Sequence, residues 1–164
     1  MCKAEGQIPI DYGDDVIELP GSRALLDRLE GAGAPWAIVT SGTRPLIGGW
    51  LKVMKLAQPR SFVTAEEVTN GKPDPEGYML GAKRLALADS DARDILVLED
   101  SPAGVRAGKA AGYKVVALAT THDTDRLREA GADWIVRDLS SVTMTRWDSK
   151  AGKVKVRLSD ALVT

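Results

Sequence analysis

The sequence predicts an α/β fold: a three-layer, Rossmann-like parallel sheet with helices on both faces, followed by a C-terminal β-hairpin. Three observations predict it. Short apolar runs at Trp36–Val39, Ile95–Leu98, Val115–Leu118 and Trp134–Val136 have the length and continuity of strands buried on both faces. Helix-length segments with turn residues at their ends separate those runs, as a doubly covered parallel sheet requires. At the end, Thr143–Trp147 and Lys153–Leu158 alternate in polarity around an Asp148–Gly152 turn, which predicts an antiparallel hairpin.

Residues 1–15 carry mixed polar residues, two glycines and little periodicity, and read as an irregular lead-in. Pro20-Gly21-Ser22 punctuates the chain. The helix that follows, Arg23–Glu30, places Leu25, Leu26 and Leu29 on one face and is stopped by Gly31 and Gly33. The strand at Trp36–Val39 runs into Thr40-Ser41-Gly42-Thr43 and a helix over Arg44–Leu56, with a short strand at Phe62–Thr64. Glu66–Pro75 is a polar loop with an Asn70-Gly71 turn and two prolines flanking Asp74. A helix over Glu76–Ala86 leads to the strand ending at Leu98, which delivers Glu99 and Asp100. Ser101 suits an N-cap and Pro102 the first helical position, where its missing N–H costs nothing. The helix Ala103–Ala111 is rich in Ala and Gly, so it can lie close against a sheet, and Gly112 ends it. Asp125–Ala130 is a further helix, with Asp123-Thr124-Asp125 as its cap.

The composition narrows the function. At 164 residues there is room for one α/β domain with a core, and 44% hydrophobic with 27% charged residues is ordinary for a globular protein. A net charge of −1 recommends neither nucleic acid nor an anionic membrane as partner. Cys2 has no second cysteine to pair with, and one histidine excludes a Cys/His metal cluster. Without a membrane-length apolar run or a signal-peptide pattern, the cytoplasm is the expected location.

Three positions then carry the chemistry. Two adjacent carboxylates, Glu99 and Asp100, at the carboxyl end of a buried parallel strand sit in the crevice where open α/β sheets bind ligands. A hard cation such as Mg²⁺, with a phosphate beyond it, would offset the cost of holding them there; the plain alternative is a helix cap plus a carboxylate paired with Lys or Arg. Thr40-Ser41-Gly42-Thr43 joins hydroxyls to backbone N–H groups at a helix start, an anion-binding arrangement that also describes an ordinary capping turn. Lys72, pinned between the Asn70-Gly71 turn and Pro73, fits a fixed cation facing a phosphate; alone it would read as a solvated loop charge. Dinucleotide binding is a weaker reading, because Gly31-Ala32-Gly33 precedes a strand instead of following one and lacks the third glycine. A phospho-receiver domain is set aside because its acidic pair would precede the Thr and Lys, whereas here it comes last.

Taken together, Thr40-Ser41-Gly42-Thr43, Gly71-Lys72-Pro73-Asp74-Pro75 and Glu99-Asp100-Ser101-Pro102-Ala103-Gly104, in this order, resemble the haloacid-dehalogenase-like hydrolases. The likeness runs from about Gly13 to the hairpin and is nearest the sugar- and glycerol-phosphate phosphatases. The resemblance implies that Thr40 hydrogen-bonds a phosphoryl oxygen while Ser41 and Gly42 offer N–H donors. It further implies that Lys72 holds the phosphate and neutralises developing charge. Asp100, with Glu99 beside it, would bind Mg²⁺, and the substrate would be a small phosphorylated metabolite. One part is missing: the family's Asp-x-Asp-Gly-Thr/Val motif at the end of its first, central strand, whose first Asp is the nucleophile. No segment of these 164 residues supplies it, so no nucleophile is assigned. Residues 1–15 then correspond to the remnant of a cap domain and 16–164 to an incomplete core lacking the strand between Ile38 and Val97. Either this is a shortened description of an active enzyme, or it is a remnant that binds phosphate and Mg²⁺ without turnover. Strand exchange between chains is one way to fill the central place.

Overall fold

The strands form two separate parallel ladders instead of one sheet. In the computed structural model, which describes residues 5–162, β1 (Ala37–Val39) pairs in parallel with β2 (Ser61–Val63), Ile38 opposite Phe62. The second ladder joins β3 (Leu96–Glu99), β4 (Lys114–Leu118) and β5 (Trp134–Val136) in that order, with Leu98 opposite Val116 and Ala117 opposite Ile135. No ladder joins β1 to β3 among the described residues. The expected absence of a central strand therefore appears as a break, and the strands beside it are incompletely covered: all three residues of β1 are half-buried and Leu96 is 36% exposed. β6 (Val142–Asp148) and β7 (Lys153–Leu158) form the expected antiparallel hairpin, with a register shift between Met144 and Arg146.

The two faces of β4 explain the layers, because successive strand side chains point to opposite sides. Val115 and Ala117 face a core built with Tyr78, Ala82, Val105, Ala107 and Leu127. Those residues come from α4 (Glu76–Arg84), α5 (Pro102–Ala110) and α6 (Thr124–Glu129). Val116 and Leu118 face the other side with Val136, Leu25 of α2 (Ser22–Ala32), and Val142 and Met144 of the hairpin. Helices thus cover both faces, but the hairpin supplies part of the second cover.

Local rules account for most helix boundaries. Ser101 caps α5, its Oγ accepting the Gly104 N–H at 3.1 Å, with Pro102 at the first position. Gly112 follows with φ of 81°, a conformation that favours glycine. Asp123 caps α6 by accepting the Arg126 N–H at 2.9 Å. The helix expected over Arg44–Leu56, α3, stops at Val53, because Lys55 enters the left-handed region with φ of 52° and Leu56 N–H turns back to Leu51 C=O.

The lead-in expectation is corrected where the chain is described; residues 1–4 lie outside the described residues. Ile8–Asp11 forms a helical turn, α1, and Gly13–Asp15 a 3₁₀ turn. Pro9 is fully buried against Gly49 of α3, so packing orders a stretch that lacks periodicity of its own.

Candidate active site

The three sequence-predicted positions meet at the carboxyl ends of β1 and β3, on either side of the break. β1 ends at Val39 and hands over to Thr40, whose N–H donates to Val63 C=O of β2 at 3.0 Å. β3 ends at Glu99, followed by Asp100. Lys72 joins the two sides: its ammonium donates to Val39 C=O at 3.4 Å and pairs with Glu99 Oε1.

Within the Thr40–Thr43 loop, the Gly42 N–H donates to Thr40 Oγ1 at 3.0 Å. That differs from the expectation that it faces a phosphoryl group: the short Thr40 side chain folds back on its own turn, a common competition between local hydroxyls and ligands. The bond consumes an acceptor of Thr40, leaving its O–H proton for another partner. The Arg44 N–H, at the start of α3, is taken by the Glu66 carboxylate at 3.1 Å. Ser41 is exposed at the loop tip.

Glu99 is the most enclosed charge in the site, 6% exposed. Its Oε1 accepts from Lys72 Nζ and from the Tyr78 hydroxyl, the latter at 2.7 Å. Its Oε2 accepts from the Asp100 N–H, the Ser101 N–H and Ser101 Oγ, each at 3.0 Å. Burial disfavours the ionised form, but the Lys72 ammonium and these donors outweigh it and hold the Glu99 carboxyl below the ordinary carboxylate range. Burial and the Glu99 charge together push the Tyr78 hydroxyl upward, so Tyr78 is a neutral donor at any working pH. The Lys72 ammonium also lies 5.2 Å from the centroid of the Tyr78 ring.

Asp100 differs from its neighbour. Its Oδ2 accepts from Thr121 Oγ1 at 2.9 Å, and its main-chain oxygen lies 3.1 Å from the same hydroxyl and 3.2 Å from His122 Nδ1. Among the described residues, Oδ1 accepts no hydrogen bond, and no group of three or more His, Cys, Asp or Glu side chains converges to hold a metal. Of the two predicted metal acids, then, only Asp100 presents an unclaimed oxygen. One carboxylate plus substrate phosphate oxygens is within the habits of Mg²⁺.

Several partners were not visible in the sequence. Tyr78 reads there as one residue of a helix, with nothing to mark its hydroxyl. His122 reads as a surface residue, yet it is half-buried against the Asp100 main chain. Arg44 is not aimed at the site; it pairs with Glu67 at 2.7 Å and covers the Phe62 ring at 5.0 Å. Glu67 also pairs with Arg84 at 2.8 Å and closes a capping box with Thr64, tying β2 to α3 and α4.

Comparison with known proteins identifies the relatives of this chain. The family model described as haloacid dehalogenase-like hydrolase matches residues 10–118. The chain is 39% identical over 165 residues to glycerol-1-phosphate phosphohydrolase 1 of Saccharomyces cerevisiae, covering 98% of this chain and 66% of that protein. It is 45% identical over 133 residues to hexitol phosphatase A of Escherichia coli, covering 81% of this chain and 59% of that one. Among solved structures, a hydrolase from Pseudomonas syringae superposes with a TM-score of 0.71 at 29% identity, over 82% of this chain and 61% of that one. The chain therefore spans two thirds or less of the length of these relatives.

Proposed function

The chain belongs to the haloacid dehalogenase-like hydrolases, and from that membership we propose that it forms the phosphate-holding part of a phosphomonoester hydrolase for a small sugar or polyol phosphate. The observation that carries the reading is the meeting of Thr40, Lys72 and Asp100 at the ends of β1 and β3, on either side of a break that no strand fills among the described residues. Thr40 Oγ–H and the Ser41 N–H would receive phosphoryl oxygens, and Lys72 would neutralise charge that grows on them in the transition state. Asp100, oriented by Thr121, would hold Mg²⁺, which when bound offsets the phosphate's negative charge so that an anionic nucleophile can approach.

The nucleophile belongs in the break between β1 and β3. Hydrolysis by this chain accordingly needs a carboxylate-bearing strand from an upstream segment or from another chain; without it the site binds phosphate and does not turn over. Strand exchange between copies could fill the break with backbone but would bring no nucleophile, so the carboxylate has to come from an upstream segment or from a different chain. A small phosphorylated metabolite in the cytoplasm is the partner this account expects. Among the described residues no helix is long and apolar enough to cross a membrane.

The test is phosphate release from glycerol phosphate and hexitol phosphate with Mg²⁺, by the 164-residue chain and by the chain carrying an added strand that ends in Asp-x-Asp-Gly-Thr. The first should release none. The second should release phosphate, and Asp100→Asn should remove that activity. Equal release by the two proteins would overturn the account.

A further inference from the structure

The Glu99–Asp100 pair reads from sequence as two metal acids, but the structure separates their jobs. We infer that Glu99 is a positioning residue that anchors Lys72 and the first turn of α5, and that it does not ligate the metal. This rests on the reading of Lys72 as a phosphate-holding cation.

A carboxylate offers about four lone-pair sites. Five donors surround that of Glu99: Lys72 Nζ and Tyr78 OH on one oxygen, and the Asp100 N–H, Ser101 N–H and Ser101 Oγ on the other. The space around it is closed as well as the valence. A Cβ placed at Gly104 would overlap the Glu99 carboxylate, so the backbone of the first α5 turn is wrapped directly against it. A hydrated Mg²⁺ demands octahedral space and keeps several waters. Reaching Glu99 would mean displacing the lysine ammonium on one side or opening the helix start on the other. Asp100, one residue further on, keeps an oxygen outside this cradle.

The arrangement also gives Lys72 its address. Lys72 sits in a loop and its long side chain would otherwise sample many rotamers, at an entropic cost on binding. Glu99 and Val39 C=O fix the ammonium at the junction of the two ladders, beside Thr40. Phosphate then meets a preplaced cation.

The experiment uses the 164-residue chain. Inorganic phosphate is titrated calorimetrically in EDTA against wild type, Glu99→Gln, Lys72→Met and the double variant, and Mg²⁺ is titrated separately against wild type, Glu99→Gln and Asp100→Asn. Glu99→Gln should weaken phosphate binding by roughly tenfold or more, to the level of Lys72→Met, with no further loss in the double variant. Mg²⁺ affinity should be unchanged in Glu99→Gln and lost in Asp100→Asn. A metal-ligand role predicts the reverse: Mg²⁺ binding lost in Glu99→Gln and phosphate binding in EDTA untouched.

Melting temperatures keep the question open to refutation if Glu99→Gln does not fold. Lys72→Met leaves a buried carboxylate without its cation and should lower the melting temperature. Millimolar Mg²⁺ should raise the melting temperature of Lys72→Met no more than that of wild type, because the methionine still fills the lysine's place and the Tyr78, Asp100 and Ser101 donors still hold the carboxylate. Selective rescue by Mg²⁺ would overturn the inference. If wild type binds no phosphate, the phosphate reading of Lys72 fails, while the Mg²⁺ and melting results still decide whether Glu99 is a ligand.

Discussion

Gly104→Ala isolates the cradle with a single methyl group. Gly104 is the third residue of α5, where alanine is ordinarily preferred to glycine by up to about 1 kcal/mol. Against that gain, the new Cβ would overlap the Glu99 carboxylate. The carboxylate cannot swing aside cheaply, because hydrogen bonds to a charged group contribute about 1.5–3 kcal/mol each and several hold it. The cheaper response is a shift of the helix start, and such overpacking costs about 1–3 kcal/mol, toward the upper end for an overlap this deep. The difference is a net loss of about 2 kcal/mol. For a domain of this size that lowers the melting temperature by roughly 4–8 °C. Thermal melts followed by circular dichroism would measure it, with Gly48→Ala as control. Gly48 lies inside α3 with nothing within 4 Å of its added Cβ, so there alanine should stabilise by about 0.5–1 kcal/mol. A Gly104→Ala protein as stable as wild type, alongside a stabilised Gly48→Ala, would refute the close approach of α5 to Glu99.

Other perturbations test the frame around the site. Arg84, with Thr64 and Arg44, outweighs desolvation and holds the Glu67 carboxyl at about 2, below its ordinary value of 4.5. Because the folded value is the depressed one, this contribution is complete above about pH 4.5 and is lost as pH falls toward 2. Stability measured across that window should fall less steeply in Glu67→Gln than in wild type, and parallel curves would exclude the effect. Leu127 of α6 is fully buried, so Leu127→Ala should cost about 2–5 kcal/mol in urea unfolding; a loss below about 1 kcal/mol would show the core to be misdescribed. Thr120 Oγ1 is buried without a hydrogen-bond partner among the described residues. Removing an unsatisfied hydroxyl relieves its desolvation cost, so Thr120→Val should be neutral or up to about 1–2 kcal/mol stabilising. Marked destabilisation would mean that the hydroxyl has a partner.

The fold was legible wherever short-range chemistry sets it. Ser101-Pro102 announced the start of α5, Asp123 the start of α6, and uninterrupted apolar runs the strands that became β3, β4 and β5. The candidate site was legible as a set of positions and less so in its wiring. Thr40, Lys72, Glu99 and Asp100 lie together at the strand ends, but the ties between them span distant positions. Lys72 reaches Glu99 across 27 positions and Tyr78 reaches it across 21, contacts that only the packing of α4 on the sheet creates. The order in Ile8–Asp11 was hidden for the same reason. Its local pattern is weak, and the burial of Pro9 against α3 supplies the stability.

Among the described residues no strand bridges β1 and β3, and Thr40, Lys72 and Asp100 lie at the strand ends on either side of that break, where we propose that phosphate binds. The most direct test of that account is calorimetric titration of inorganic phosphate, with Mg²⁺ present, into wild type, Thr40→Val and Lys72→Met. Wild type should bind at millimolar concentration or tighter, and each variant should bind roughly tenfold or more weakly. Variants that bind phosphate as well as wild type, or a wild-type protein that binds none, would contradict the assignment of this site to phosphate.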